Sequence, residues 1–349
     1  MSAVLAPTGV AAGNGSRGVW SAAATRFRRD RVGMTSFAIV ALFLLLVLAA
    51  AVGLVAKDWQ AERGVPDAPP TFMGAAAKTE HIAVEQPSGP NVDISAIDPL
   101  APRYAEWAEA AKKYKTTEAV RSPTLPFGAD RLGRDVLAKA LKGAEVSILV
   151  GVAAAVVATA IGTLLGALGG FFGGKTGDFL EWVYNVFTAM PGILLIFAFA
   201  AVFPRGVGSV VMILGLAGWT GIYRLVRAEF IKHAGRDYVR SAEAIGASNA
   251  SRMFRHILPN ISHVILVQLS IHVVGFIKSE VILSYLGLGV GVDQVSWGTM
   301  LSEAQSELIL GHWWQLTAAT AMMAVFVTAF SLMTDALRDA LDPKLRGLE

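Results

Sequence analysis

The chain has 349 residues, 54% of them hydrophobic and 16% charged, with a formal net charge of +3. That is too apolar for a soluble protein of ordinary composition and indicates several membrane spans. The basic residues lie beside apolar runs, where loop orientation accounts for them, so they give no argument for nucleic acid, and the absence of cysteine excludes disulfides and thiolate metal sites.

Residues 1–33 read as a cytoplasmic tail, Ala/Gly/Ser-rich and flexible, then basic at Arg17, Arg26, Arg28, Arg29 and Arg31. Met34 to Ala56 is a first span. Its apolar run exceeds the roughly 7–15 residues of a secretory signal, which favours a retained anchor. Residues 57–125 form an extracytoplasmic insert whose first half, with Pro66, Pro69, Pro70, Pro87 and Pro90, reads as irregular. Pro102 then opens a helix with Tyr104, Trp107, Ala108, Ala111 and Tyr114 at helical spacing. This helix lies on the membrane surface or on its own domain; the sharper reading is a rim that receives a soluble binding protein.

Residues 126–336 carry the main body, with five further spans. Pro126 to Asp135 holds Gly128, Asp130, Gly133, Arg134 and Asp135, which suit a tight hydrogen-bonded turn. Val146 to Gly169 is the second span. Its small residues Gly151, Ala155, Ala158, Gly162, Gly166 and Gly170 fall on one stripe, a packing seam for another helix. Gly169 to Thr176 matches the phosphate-loop pattern letter for letter. That chemistry needs a preceding strand and a helix whose N–H groups face phosphates, whereas here a membrane helix precedes, so a cytoplasmic turn marked by Lys175 is the better reading. Leu180 to Phe203 is a third span broken at Pro191-Gly192, and Gly208 to Val226 a fourth, with Trp219 near its cytoplasmic end.

Asp237 to Asn260 is a polar, basic island between apolar segments, and its small helix formers suggest a docking surface. It reads as two short helices. Gly246 suits a left-handed helix end between them, Ser248 caps the second, and Pro259 marks re-entry into the membrane. Ile261 to Leu286 is the fifth span and carries His263, Gln268, His272, Lys278 and Glu280. Charges at membrane depth suggest function, but Lys278 and Glu280 fall near the outer end, where they can snorkel. Trp313 to Thr334 is the sixth span, followed by a cytoplasmic tail at 337–349.

The island resembles the coupling loop of ABC importer permeases, in which Glu-Ala-Ala precedes a Gly and Ile-x-Leu-Pro follows. Ala242, Gly246, Leu258 and Pro259 keep that pattern, while Arg240 and Ser241 replace the first Glu and Ala, and His256 stands at the Ile position. Phe-Arg-His-Ile-Leu-Pro-Asn resembles the dipeptide/oligopeptide permeases more narrowly. The 126–135 turn resembles the Gly-Thr-Asp-x-x-Gly-Arg-Asp signature of their C-type subunit, with Ala129 for Thr. Leu283 to Gly289, including Ser284, and Ser296 to Leu301, including Trp297, resemble two further motifs, with Glu280 matching a leading Glu. The resemblance covers roughly 35–56 and 126–346.

The resemblance implies an all-α integral membrane protein with six transmembrane helices and both termini cytoplasmic, in the bacterial inner membrane. Short loops agree with that orientation: Lys175 and the basic 224–236 stretch lie on one side, and Asp293, Glu303 and Glu307 on the other. It also implies a heterodimer with a sibling permease subunit, two ATPase subunits beneath, and an extracytoplasmic substrate-binding protein. ATP is then bound by the partner subunits, and this chain needs no catalytic residue, cofactor or metal. The expected ATPase contact is Arg240, Ser241, Ala242, Glu243, Ala244, Gly246, Ala247, Ser248, Leu258 and Pro259. Pro191, Trp219, His272, Glu280, Ser284 and Trp297 are candidates for the pathway or gate. The cargo is a peptide, or in an importer of the same fold a nickel chelate, another small solute or a modified peptide. A proton- or ion-coupled transporter using His272, Lys278 and Glu280 is the rival class; internal inverted repeats would favour it, and none is visible.

Overall fold

A computed structural model of the chain describes residues 19–75, 97–112 and 121–341. The described residues are helical apart from connecting turns and isolated bridges. Four helices are long and apolar enough to cross a membrane, and up to six spans result if each of two bent helix pairs is one span.

The basic segment near the N-terminus is a helix, α1 (Val19–Arg29), rather than a wholly flexible tail. Ala23 is buried against Ala340 and Leu341, with Phe27 and Leu337 packed around them. Asp30 then caps α2 (Arg31–Ala51), its carboxylate accepting from the Val32 N–H at 2.9 Å. The first span thus starts and stops a few residues before the expected 34–56.

The insert is irregular at 52–75, as its prolines predict, but it is not loose. Its backbone is laced to the 122–135 turn through Gly64 N–H to Gly133 O at 2.9 Å, Asp67 N–H to Asp130 O at 3.0 Å and Thr71 N–H to Leu125 O at 2.9 Å. The expected helix is α3 (Tyr104–Lys112), entered through a tight turn at Ala101–Arg103. Pro87, Pro90 and Tyr114 lie outside the described residues.

α4 (Val136–Phe172) is the central helix of the body. At 37 residues it is about 56 Å long and overruns the expected 146–169 at both ends. Its small-residue stripe is a packing seam. A Cβ on Gly162 would lie 2.1 Å from Ile222 Cγ2, and on Gly166 2.7 Å from Tyr223 O, so the partner helix sits directly on the glycines. The phosphate-loop match runs from the last turn of α4 across Gly173 into the first turn of α5 (Gly174–Thr188), behind a helix and not a strand.

The third span is broken where Pro191 and Gly192 predict, and sharply: α5 and α6 (Gly192–Val202) meet at 84°. The fourth is also bent, α7 (Val207–Gly218) and α8 (Thr220–Ala234) meeting at 44° beside Trp219, and it runs past the expected end at Val226. Phe276 presses there on Gly218, where a Cβ would lie 2.3 Å from its ring. That contact is tertiary and leaves no trace in the local sequence.

α9 (Asp237–Ala244) and α10 (Asn249–Ser251) follow, joined at Gly246. Re-entry at Pro259 is not a break. α10 runs through a π-helical turn, Arg252–Ile257, into α11 (Leu258–Tyr285) as one 37-residue rod. The wide turn ends just before the proline, which lacks an N–H and would clash with a tighter preceding turn. α12 (Trp297–Ile309), a helix not expected from the sequence, starts at a capping box of Ser296 and Thr299. α13 (Trp314–Leu341) extends past the expected span end at Thr334; residues 342–349 lie outside the described ones.

Candidate functional site

The island at 237–258 presents a ridge. Val239 is buried against α8 and the π-helical turn and Ala242 is buried too, while Arg240, Ser241, Glu243, Ala244 and Ser248 face outward. Gly246 has φ +86°, a left-handed conformation, and a Cβ there would meet nothing within 4 Å. The glycine is thus required by the backbone and not by crowding. Ser248 caps α10, its Oγ accepting from the Ser251 N–H at 3.3 Å.

A brace behind the ridge was not foreseen. Arg252 in the π-helical turn pairs with Glu243 of α9 at 2.6 Å, and its guanidinium lies 5.0 Å from the Phe171 ring centre at the end of α4. One side chain therefore ties the loop, the rod α11 and the central helix together. Pro259 is exposed and Leu258 half-buried at the start of α11, where the π-helical turn ends.

The 126–135 turn is tight, as expected. Gly128 and Gly133 have positive φ. Asp130, fully buried, accepts from the Leu132 and Arg134 N–H groups at 2.9 Å each, from Arg134 Nε at 2.7 Å and from Lys139 Nζ at 2.7 Å. Burial opposes its ionisation, but the Lys139 and Arg134 charges with their hydrogen bonds outweigh it and hold its carboxyl below the usual range. Asp135 caps α4 through the Leu137 and Ala138 N–H groups. Lys139 is 1% exposed and also reaches Glu303 and Gln315. The turn is therefore an ionic knot joining the insert, α4, α12 and α13. The sequence signal for it was the pair Glu303 and Glu307, one turn apart on an otherwise buried helix face, read only as acidic loop residues.

The pathway candidates do not form one group. Glu280, Ser284 and Trp297 come together inside the protein. Glu280 accepts from Ser147 Oγ and from Ser284 Oγ at 2.6 Å each, and Ser147 Oγ accepts from the Trp297 N–H at 3.2 Å. Glu280 is 0% exposed, so it does not snorkel as expected. Lys278, two residues earlier, is exposed on another face. Trp219 is buried at the α7–α8 bend, Pro191 is exposed at the α5–α6 break, and His272 is half-buried between α4 and α8 beside Thr159 and Gln268. Among the described residues, no group of three His, Cys, Asp or Glu side chains has the geometry to hold a metal ion.

The sequence profile of the family described as binding-protein-dependent transport system inner membrane component matches residues 162–347. The chain is 35% identical over 238 residues to the oligopeptide transport system permease protein OppC of Bacillus subtilis (strain 168), covering 67% of this chain and 78% of that one. It is 34% identical over 220 residues to the dipeptide transport system permease protein DppC of the same strain, covering 63% and 69%. It is 40% identical over 221 residues to the glutathione transport system permease protein GsiD of Salmonella paratyphi A, covering 63% and 73%. With the helical body and the loop seated beneath it, the match assigns the chain to the binding-protein-dependent transport system inner membrane component family: it is a permease subunit of an ABC importer.

Proposed function

We propose that this chain is one half of the translocation pathway for short peptides, driven by ATPase subunits that dock on the 237–258 ridge. The observation that carries the reading is the ridge itself. It exposes Arg240, Ser241, Glu243 and Ala244 on a short helix tied through Arg252 to the rod α11 and the end of α4. A push on such a ridge reaches the spans without a flexible joint, which a coupling element requires. In this reading Leu258 and Pro259, which follow the π-helical turn within the same rod, belong to that contact as well.

The partners in this reading are a sibling permease, two ATPase subunits and an extracytoplasmic substrate-binding protein. The bent pairs count as one span each, giving six spans with both termini cytoplasmic, in agreement with Lys175 and the basic 224–236 stretch against Asp293, Glu303 and Glu307. ATP belongs to the partner subunits, and no resident cofactor or metal is needed here. The three relatives are named for oligopeptides, dipeptides and glutathione, all of them peptides, which supports a peptide cargo.

The test is uptake by the assembled complex in liposomes with its binding protein. Labelled dipeptide should accumulate only with internal ATP, and the chain purified alone should not hydrolyse ATP. ATP hydrolysis by the isolated chain that vanishes in Lys175→Ala would restore the phosphate-loop reading and overturn this one.

A further inference from the structure

Two cavities between α11 and α13, of about 380 and 330 Å3, share Ile271 and form one furrow. Its lining on α11 runs at helical spacing from His263 to Lys278, one face about 22 Å long at 1.5 Å per residue. Charges alternate along it. Lys278 and Asp335 line the upper cavity, and Arg338 and His263 the lower one.

Lys278 and Asp335 are both exposed in the furrow. Among the described residues neither has an ion pair or hydrogen bond. The nearby hydroxyls are already committed to their own helices, Ser270 Oγ donating to Leu266 O at 3.1 Å and Thr334 Oγ1 to Phe330 O at 2.8 Å. A Cβ on Gly275 would meet nothing within 4 Å, so the backbone is open to the furrow there. Both helices are long and apolar enough to span a membrane. In such segments a charged side chain is costly, and one kept without a partner faces water or a ligand.

From this we infer that the α11–α13 furrow binds the two charged ends of a short peptide, the ammonium at Asp335 and the carboxylate at Lys278. A cation and a carboxylate that share a cavity without touching complement a ligand bearing both charges. Arg338, farther along the furrow, offers the carboxylate a next position. The inference rests on the peptide reading above and adds to it the place and manner of contact.

The chain has no cysteine, so Ser331→Cys, in the furrow wall, gives a single reporter on this subunit. In the assembled complex in lipid, alanyl-alanine should slow maleimide labelling of that cysteine. N-acetyl-alanyl-alanine and the dipeptide amide should protect poorly. Adding Asp335→Asn or Lys278→Gln should raise the half-protecting concentration of alanyl-alanine roughly tenfold or more, the loss of one charge-assisted hydrogen bond. Equal protection by all three compounds, or none by alanyl-alanine in a complex that imports it, overturns the furrow site alone. A cysteine that never labels in the complex, with Asp335→Asn or Lys278→Gln abolishing recovery of the sibling subunit, makes the furrow a subunit interface. Failure of the unmodified complex to import any dipeptide sinks the peptide reading and this site with it.

Discussion

Glu280 on α11 accepts a hydrogen bond from Ser147 on α4 at 2.6 Å, across 133 positions of sequence. Ser284 supplies a second at 2.6 Å, and Ser147 in turn receives the Trp297 N–H that opens α12. Three helices are thereby fixed by one carboxyl group. Glu280→Gln keeps an acceptor of the same size and should leave the protein folded. Glu280→Leu leaves the hydroxyls without their acceptor, a cost of about 1–3 kcal/mol. A clearly lower melting temperature of the purified complex for the Leu variant, with the Gln variant near normal, is expected; equal behaviour of the two would deny the carboxyl its joining role.

The glycine seam gives a second prediction. A Cβ at Gly162 falls 2.1 Å from Ile222 and 2.6 Å from the Trp219 carbonyl, whereas at Gly208 it meets nothing within 4 Å. Gly162→Val should cost at least about 1–3 kcal/mol, since the backbone of α8 cannot yield as a side chain would. Gly208→Ala should be neutral or slightly stabilising. The check is the yield and melting temperature of each variant in detergent.

At Gly246 the constraint is conformational. Its φ of +86° lies where a side chain is strained, yet the space around it is open. Gly246→Val should therefore cost roughly 1–2 kcal/mol, confined to the loop, and Gly246→Asn should be milder. In membranes with equal permease content, the Val variant should recover less ATPase subunit and lose uptake while still pairing with its sibling. Arg252→Ala should act in the same direction by releasing Glu243 and Phe171. Normal ATPase recovery and uptake in both would remove this loop as the coupling element.

Glu307 supplies a pH dependence. It is 2% exposed and its Oε2 lacks a hydrogen-bond partner, beside an Asp67–His312 pair in which Asp67 Oδ1 lies 3.3 Å from His312 Nδ1. Burial pushes its carboxyl up from the ordinary 4.5 to about 7, and the Asp130 and Asp67 charges push the same way, against the Arg131 N–H and the Lys139 charge. A carboxyl with a higher pKa in the folded chain holds its proton more tightly there. Its contribution to stability is therefore full below pH 4.5 and falls as pH rises to about 7, by up to about 3 kcal/mol. Glu307→Gln should remove that slope and make the complex relatively more stable at pH 8 than at pH 5. Melting curves across that range that stay parallel for the two proteins would count against it.

The sequence by itself determined the helical membrane class, because long apolar runs admit little else. It also determined the local devices. Gly246 turns left-handed, Ser248 and Asp135 cap helices, Asp130 closes a tight turn, and Pro191 breaks a span, each through forces acting within a few residues. Only the tertiary structure decided where the charges go. Lys278 and Glu280 are two positions apart and look alike in a sequence, yet rotation about the helix leaves one in an open furrow and buries the other against Ser147. The bend at Trp219, the Arg252 brace and the Lys139 knot likewise depend on partners distant in the chain, whose positions are set by packing that no local pattern encodes.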